Sequence, residues 1–270
     1  MKIESLKLVY FSPTGTTKKI IEEIARGINH NSVELVDITK PENRKRQVET
    51  SEDELLIVGV PVYFGRGQAN AMEWLNTIKG HNTPAVCIVV YGNREYDDAL
   101  LELKETMVNN GCKPIACGAY IGEHSFSSSE TPIAAGRPDS ADLLHAQSFG
   151  EEIRKKIISL PSIDQISDIS VPGQYPYIDM GDSKKNLSGV DRVSVDSTCV
   201  QCGECAQLCP VGAINFEHSA SVDQSKCILC HACIKNCPAG ARRIKNDMVK
   251  NIAIRLSGAL QGRKEPVMFL

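Results

Sequence analysis

The sequence predicts an α/β fold, a doubly wound five-stranded parallel sheet, followed by a smaller α+β unit. Three observations lead there. Apolar strand-like runs alternate with helical stretches as far as Leu160, Pro and Gly then interrupt the pattern, and a cysteine-rich segment repeats itself between Cys199 and Cys237.

The strands are expected at Leu6–Phe11, Val33–Ile38, Leu55–Val60, Ala85–Tyr91 and, more weakly, Pro114–Ile121. Their runs of Val, Ile and Leu suit a sheet covered on both faces. Between them Thr17–Ile28 carries apolar residues at Ile20, Ile21, Ile24, Ala25 and Ile28, which form one helical face. Further helices are expected near Ala69–Ile78, Tyr96–Asn109 and Ala141–Ile158, the last capped by Asp139 or Ser140. Right-handed crossovers then give the doubly wound arrangement, whose ligand crevice lies beyond the C-terminal strand ends.

The expected organisation is a first domain over 1–160, a linker over 161–188, a cysteine-rich domain over 189–248 and a tail over 249–270. Val249, Ile252, Leu256 and Leu260 have helical spacing, so the tail is expected to dock on the first domain or on another subunit. Of 270 residues, 42% are hydrophobic and 23% charged, with a net charge of -3. This is ordinary globular composition and gives no support to a generally basic nucleic-acid-binding surface. The first apolar run is too short for a signal-peptide core and no membrane-length apolar stretch occurs, so a soluble, cytoplasmic protein is expected.

Eight of the 11 cysteines lie between Cys199 and Cys237. CVQCGECAQLCPVGAI and CILCHACIKNCPAGAR align without gaps, each reading C-x2-C-x2-C-x3-C-P. Three thiolates at this spacing wrap three corners of a cuboidal [4Fe–4S] cluster, and in two-cluster proteins the last cysteine of each repeat completes the other cluster. One cluster is therefore assigned to Cys199, Cys202, Cys205 and Cys237, and the other to Cys227, Cys230, Cys233 and Cys209. Zinc needs only four ligands and leaves the third cysteine and the Cys-Pro unexplained. The haem-like Cys227-Ile228-Leu229-Cys230-His231 leaves Cys233 and Cys237 over, and His231 is read as a bystander. A reducing compartment disfavours disulfides. The stretch Val190–Lys245 resembles bacterial two-[4Fe–4S] ferredoxins.

The loop Ser12-Pro13-Thr14-Gly15-Thr16-Thr17 follows an apolar strand and opens a helix, where free N–H groups and hydroxyls suit a phosphate. It lacks both G-x-G-x-x-G and the Walker ending, and simple helix capping is the alternative. LVYFSPTGTT resembles the FMN-phosphate signature of the flavodoxin family, with Ile21 where that signature usually has alanine. The resemblance covers Lys2–Leu160 and implies strand order 2-1-3-4-5, with Ser12, Thr14, Gly15, Thr16 and Thr17 at the FMN phosphate. It also implies that Pro61, Val62, Tyr63, Phe64, Gly65 and Arg66 border the isoalloxazine ring, with Tyr63 stacked on it. Gly92, Asn93, Arg94, Tyr96 and Asp97 would flank the other face, with Tyr96 stacking. For either tyrosine the alternative is ordinary surface packing, and Arg66 and Arg94 have solvent exposure as theirs. Tyr175 and Tyr177 make the linker too aromatic for a free spacer. They are expected to pack along one domain, the alternative being a tyrosine between the two cofactor sites.

As a whole the chain resembles flavodoxin–ferredoxin fusion proteins of anaerobic bacteria and archaea, which implies FMN plus two [4Fe–4S] clusters. Such a chain is expected to convert between single electrons and electron pairs, working with redox-protein partners. The alternative is an FMN-dependent reductase of a small molecule, in which His124 donates a proton and Arg137 binds a carboxylate from the loop after the fifth strand. A redox sensor is a third class, without a recognisable output domain. Cys87, Cys112 and Cys117 are expected to be core residues or plain thiols.

Overall fold

Alternation of side-chain direction along the buried first strand sets the layers. In β1 (Ser5–Tyr10) and the residue after it, Leu6, Leu8 and Tyr10 face one side of the sheet, while Val9 and Phe11 face the other. The computed structural model describes residues 1–179 and 193–270. The expected linker beyond 179 and the first residues of the expected cysteine-rich domain, 189–192, lie outside the described residues.

The first part of the chain continues through α1 (Thr16–Ile28), β2 (Val33–Asp37), β3 (Glu49–Thr50), β4 (Glu54–Tyr63), β5 (Arg66–Gly67), α2 (Ala69–Leu75), β6 (Lys79–Gly80), β7 (Thr83–Tyr91), α3 (Ala99–Asn109), β8 (Cys112–Ile121) and α4 (Ser140–Ser159). After the linker come β9 (Val193–Val195), α5 (Glu204–Gln207), α6 (Ala232–Lys235), β10 (Arg242–Ile244), α7 (Asp247–Ala259) and β11 (Val267–Phe269).

The main sheet runs β2-β1-β4-β7-β8 with parallel pairing throughout, the flavodoxin-like order. A sixth strand joins its edge: β11 pairs antiparallel with β8, Met268 opposite Gly118. The sequence predicts five strands and a docked tail, but no strand at Val267–Phe269. β5 also folds back as a short hairpin on the end of β4.

Helices α1 and α4 cover one face, where Ile20, Ile21, Ile24, Phe149 and Ile153 are fully buried. Each such aliphatic side chain removed from water contributes about 2 kcal/mol. The two helices meet at Gly27 and Gly150, where added Cβ atoms would lie 1.9 Å from the Gln147 carbonyl oxygen and 2.1 Å from that of Ile24. Only glycine permits that approach. On the other face α2 and α3 bury Met72, Trp74, Leu100, Leu103 and Met107. Helix α4 starts at Asp139, whose carboxylate accepts from Ala141 N and Asp142 N at 3.0 and 3.1 Å.

The described part of the linker is strapped to α3. Lys104 donates to the Ile169 carbonyl at 2.6 Å, and Asp98 accepts from Gln174 N at 3.0 Å and Ile178 N at 2.6 Å. Tyr177 donates to Glu105, and Arg66 lies 4.5 Å from its ring centroid. Tyr175 is 78% exposed. Both tyrosines belong to this strap.

The cysteine-rich part has its own antiparallel pair, β9 with β10. The sequence repeat reappears in the backbone: left-handed residues occur in matching pairs at Gln201 and Leu229, Gly203 and His231, and Gly212 and Gly240. From there α7 passes back over the first part. Val249 and Ala253 pack on Phe126 and Ile133, and Ser257 donates to the Pro132 carbonyl at 2.9 Å. Among the described residues no helix is long and apolar enough to cross a membrane.

Candidate functional site

The carboxyl ends of β1, β4, β7 and β8 converge on one open cleft of about 670 Å³, counting its mouth. Its floor is the loop before α1. Ser12 Oγ accepts from Lys18 N at 3.1 Å, Ser12 N donates to Thr39 Oγ1 at 2.9 Å, and Gly15 takes φ 83° as the helix N-cap. Thr17 is fully buried on the cleft, and its hydroxyl oxygen has no hydrogen-bond partner. A buried hydroxyl left unmet at the N-terminus of a 13-residue helix suits an anionic acceptor such as a phosphate. Ser12, Thr14, Thr16 and Thr17 all line this floor; Gly15 shapes the turn without lining it.

The walls come from the loops after β4, β7 and β8. Pro61, Val62, Tyr63, Phe64 and Gly65 form one side, and Gly92 and Arg94 another. Four other residues named from the sequence are engaged elsewhere. Arg66 pairs with Glu102, its Nε 2.8 Å from Oε2. Asn93 is buried and donates to the carbonyls of Leu260 and Gly262 at 3.1 and 2.9 Å. Tyr96 packs on Tyr91, ring centroids 5.5 Å apart, and it is Tyr91 that lines the cleft. Asp97 receives Arg94 and lies against Gly65. Tyr91 was legible as the last residue of an apolar strand, the position from which a ligand crevice is lined.

The loop after β8 closes the third side with Gly122, Glu123, His124 and Ser125, of which the sequence reading singled out only His124. Burial holds the His124 imidazole down at about 4, and the charges of Lys235 and Arg94 act the same way. Its Nδ1 accepts from Phe126 N at 3.0 Å, which assigns the proton of the neutral ring to Nε2. A Cβ on Gly92 would lie 2.3 Å from this ring. At neutral pH the side chain can therefore offer a hydrogen bond but no imidazolium proton. Arg137, the other residue of this loop expected to meet a substrate, is engaged elsewhere. It is 8% exposed, sits outside the cleft, and spends its guanidinium on Asp142 and the Lys264 carbonyl. No carboxylate-binding group is left at that position.

The cysteines gather around two small cavities. One is bounded by Cys199, Cys202, Cys205 and Cys237, the other by Cys209, Cys227, Cys230 and Cys233. Each set takes three cysteines from one repeat and the last from the other. Left-handed residues before α5 and α6 turn backbone N–H groups inward, and Ala213 N donates to Cys209 Sγ at 3.2 Å. Burial raises the Cys230 thiol well above its ordinary range and pushes Cys233 up to about 12. Among the described residues no three His, Cys, Asp or Glu side chains converge on a single metal ion. Eight thiols in two four-cornered cages fit a cuboidal iron–sulfur group, which spreads its ligands over several irons.

The second cage adjoins the cleft. Lys235 Nζ lies 2.6 Å from Glu123 Oε1, and His231 Nδ1 is 3.0 Å from the Ser125 carbonyl, with its ring 5.1 Å from that of Phe126. His231 is thus part of the joint. Tyr63 lines the cleft, and burial, followed by the charges of Cys230 and Cys227, holds its phenol well above the ordinary range. The first cage faces outward, with Cys202 exposed, Val200 70% exposed and Phe216 59% exposed.

Residues 7–123 match the family model described as a flavodoxin domain, and residues 198–241 match that of a 4Fe-4S dicluster domain. Among solved structures, a flavodoxin from the domain Archaea is 18% identical, with a TM-score of 0.41, over 57% of this chain and 99% of its own. The flavodoxin of Fusobacterium nucleatum bound to flavin mononucleotide is 17% identical, with a TM-score of 0.40, over 57% and 99%. The two-electron reduced flavodoxin of Megasphaera elsdenii is 17% identical, with a TM-score of 0.39, over 56% and 98%. No curated protein matches the chain. The chain therefore joins a flavodoxin domain to a 4Fe-4S dicluster domain, the make-up of an electron-transfer flavo-iron-sulfur protein.

Proposed function

We propose that the chain shuttles electrons between FMN, held in the cleft, and two [4Fe–4S] clusters held by the two cysteine cages. It would thus convert between one-electron and two-electron transfer in anaerobic metabolism. When bound, the flavin exchanges electrons singly or in pairs, whereas each cluster exchanges one.

The observation that carries this reading is the shared wall. The cleft residues Glu123 and Ser125 touch Lys235 and His231 of the second cysteine repeat directly. In this reading Thr17 and the N-terminus of α1 bind the phosphate, and Tyr63 and Tyr91 enclose the ring. Neutral His124 and the Glu123–Lys235 pair fix the loop that separates cleft from cage. Cys209, Cys227, Cys230 and Cys233 form the flavin-side site. Cys199, Cys202, Cys205 and Cys237 form the outer one, open to a redox partner. Covalent linkage keeps donor and acceptor together without a separate encounter.

The test is an anaerobic preparation assayed for flavin, iron and acid-labile sulfide, followed by reductive titration with optical and EPR detection. One FMN and about eight irons per chain are expected. Zinc without labile sulfide would overturn the cluster assignment, and a protein that never binds FMN would overturn the flavin assignment.

A further inference from the structure

Arg242 is the least explained charge in the molecule. It lies on β10, opposite Val195, and is 3% exposed. One terminal nitrogen, Nη2, donates to the Ser219 carbonyl; the other, Nη1, is buried and has no partner. Among the described residues no carboxylate pairs with the guanidinium. Burying such a cation without a counter-charge is strongly unfavourable.

The surroundings of the side chain say where the missing negative charge belongs. Arg242 lines the cavity bounded by Cys199, Cys202, Cys205 and Cys237. The guanidinium thus stands at the outer cage and is paired with no acid among the described residues. A cluster bound by four thiolates is anionic and gains one more negative charge on reduction, and fixed charge and hydrogen bonding near the sulfurs set its potential.

We propose that Arg242 is the built-in counter-cation of the outer iron–sulfur site, whose cavity it lines, holding the reduction potential of that site up. The inference rests on the two-cluster reading above. Its role is to position charge; the electrons pass between the clusters and their partners. A cation at fixed distance stabilises the reduced site more than the oxidised one, so electrons are retained more readily than in a cage without it.

The experiment compares full-length wild type, Arg242→Gln and Arg242→Lys, prepared anaerobically. Iron and flavin are counted first, then an EPR-monitored redox titration is run. Arg242→Gln should shift the outer-cluster midpoint to lower potential and Arg242→Lys should recover most of the shift, while the FMN midpoint stays put as an internal reference. Unchanged cluster midpoints in Arg242→Gln at full iron content would overturn the proposal, as would loss of iron from both variants alike, which marks a purely structural residue. If only Arg242→Gln fails to assemble, the requirement for positive charge is met in a stronger form. A wild-type iron count near four or zero would instead remove the two-cluster reading, a separate result.

Discussion

Glu123 and Lys235 form an ion pair with 2.6 Å between Oε1 and Nζ. The carboxylate lies on the rim of the cleft and the ammonium two residues after Cys233. Burial alone would raise the Glu123 carboxyl, but Lys235 and the Gly136 N–H overcome it and hold it below the usual range. Both side chains are partly exposed, so the coupling is expected at about 1 kcal/mol. A double-mutant cycle with Glu123→Gln and Lys235→Met, read by denaturant midpoint, measures it; additive single effects would show that the two residues do not cooperate.

Thr17→Val should separate phosphate recognition from ring recognition. It removes a buried hydroxyl that has no protein partner, so the stability of the flavin-free protein should hold or rise slightly. FMN affinity should fall about tenfold, the loss of one hydrogen bond to an anion, while riboflavin affinity stays constant. Titration of flavin fluorescence gives both numbers, and an equal loss for the two ligands would place Thr17 away from the phosphate.

His124 makes an acid-side prediction. Its folded value of about 4 lies below the ordinary histidine value, so between the two the unfolded chain binds more protons. Stability should therefore fall as pH drops below about 6.5 and level off near 4, by at most about 3 kcal/mol. As pH is lowered from 7 to 4.5, urea midpoints should fall more steeply for wild type than for His124→Gln; parallel curves would mean that the ring takes up its proton equally in the folded and unfolded chains.

Gly150→Ala tests the helix contact. The new methyl meets the Ile24 carbonyl oxygen at 2.1 Å, and backbone cannot yield as a side-chain tip can. A cost of about 3 kcal/mol is expected, visible as a lower melting temperature. An unchanged melting temperature would show that α1 and α4 can separate freely.

The two cages should also differ in chemical reach. After limited ferricyanide oxidation, iodoacetamide should label Cys199, Cys202, Cys205 and Cys237 well before Cys209, Cys227, Cys230 and Cys233. Cys202 is exposed, whereas Cys230 is buried beside Leu229 in the joint with Phe126. Peptide mapping reads the order, and simultaneous labelling would remove the inner and outer distinction.

The strands, the turn that floors the cleft and the cysteine cages were legible because they rest on local signals: apolar runs, a Ser/Thr turn, and an in-register cysteine repeat; the strand order followed only from the flavodoxin resemblance. What sequence spacing could not supply was competition among side chains. Arg137 looked available until Asp142, at the third position of the next helix, took it. Tyr96 and Tyr91 lie at opposite ends of one loop, and only packing decides which faces the ligand. His231 stands in the left-handed position that the first repeat gives to Gly203. A residue with a Cβ where its counterpart has none was the available sign of a contact beyond the repeat, and the Ser125 carbonyl is that contact.

Strands β1 and β11 belong to the same sheet, β11 at its edge beside β8. The cysteine unit is consequently a handle anchored on two sides, with the strap of residues 169–178 before it and α7 and β11 behind it. A pendant domain samples many distances and conducts only in brief encounters. If electrons pass between cleft and cage as proposed, such a handle fixes the gap they cross, so the rate of internal transfer should depend little on solvent viscosity and a redox partner should dock at the outer rim.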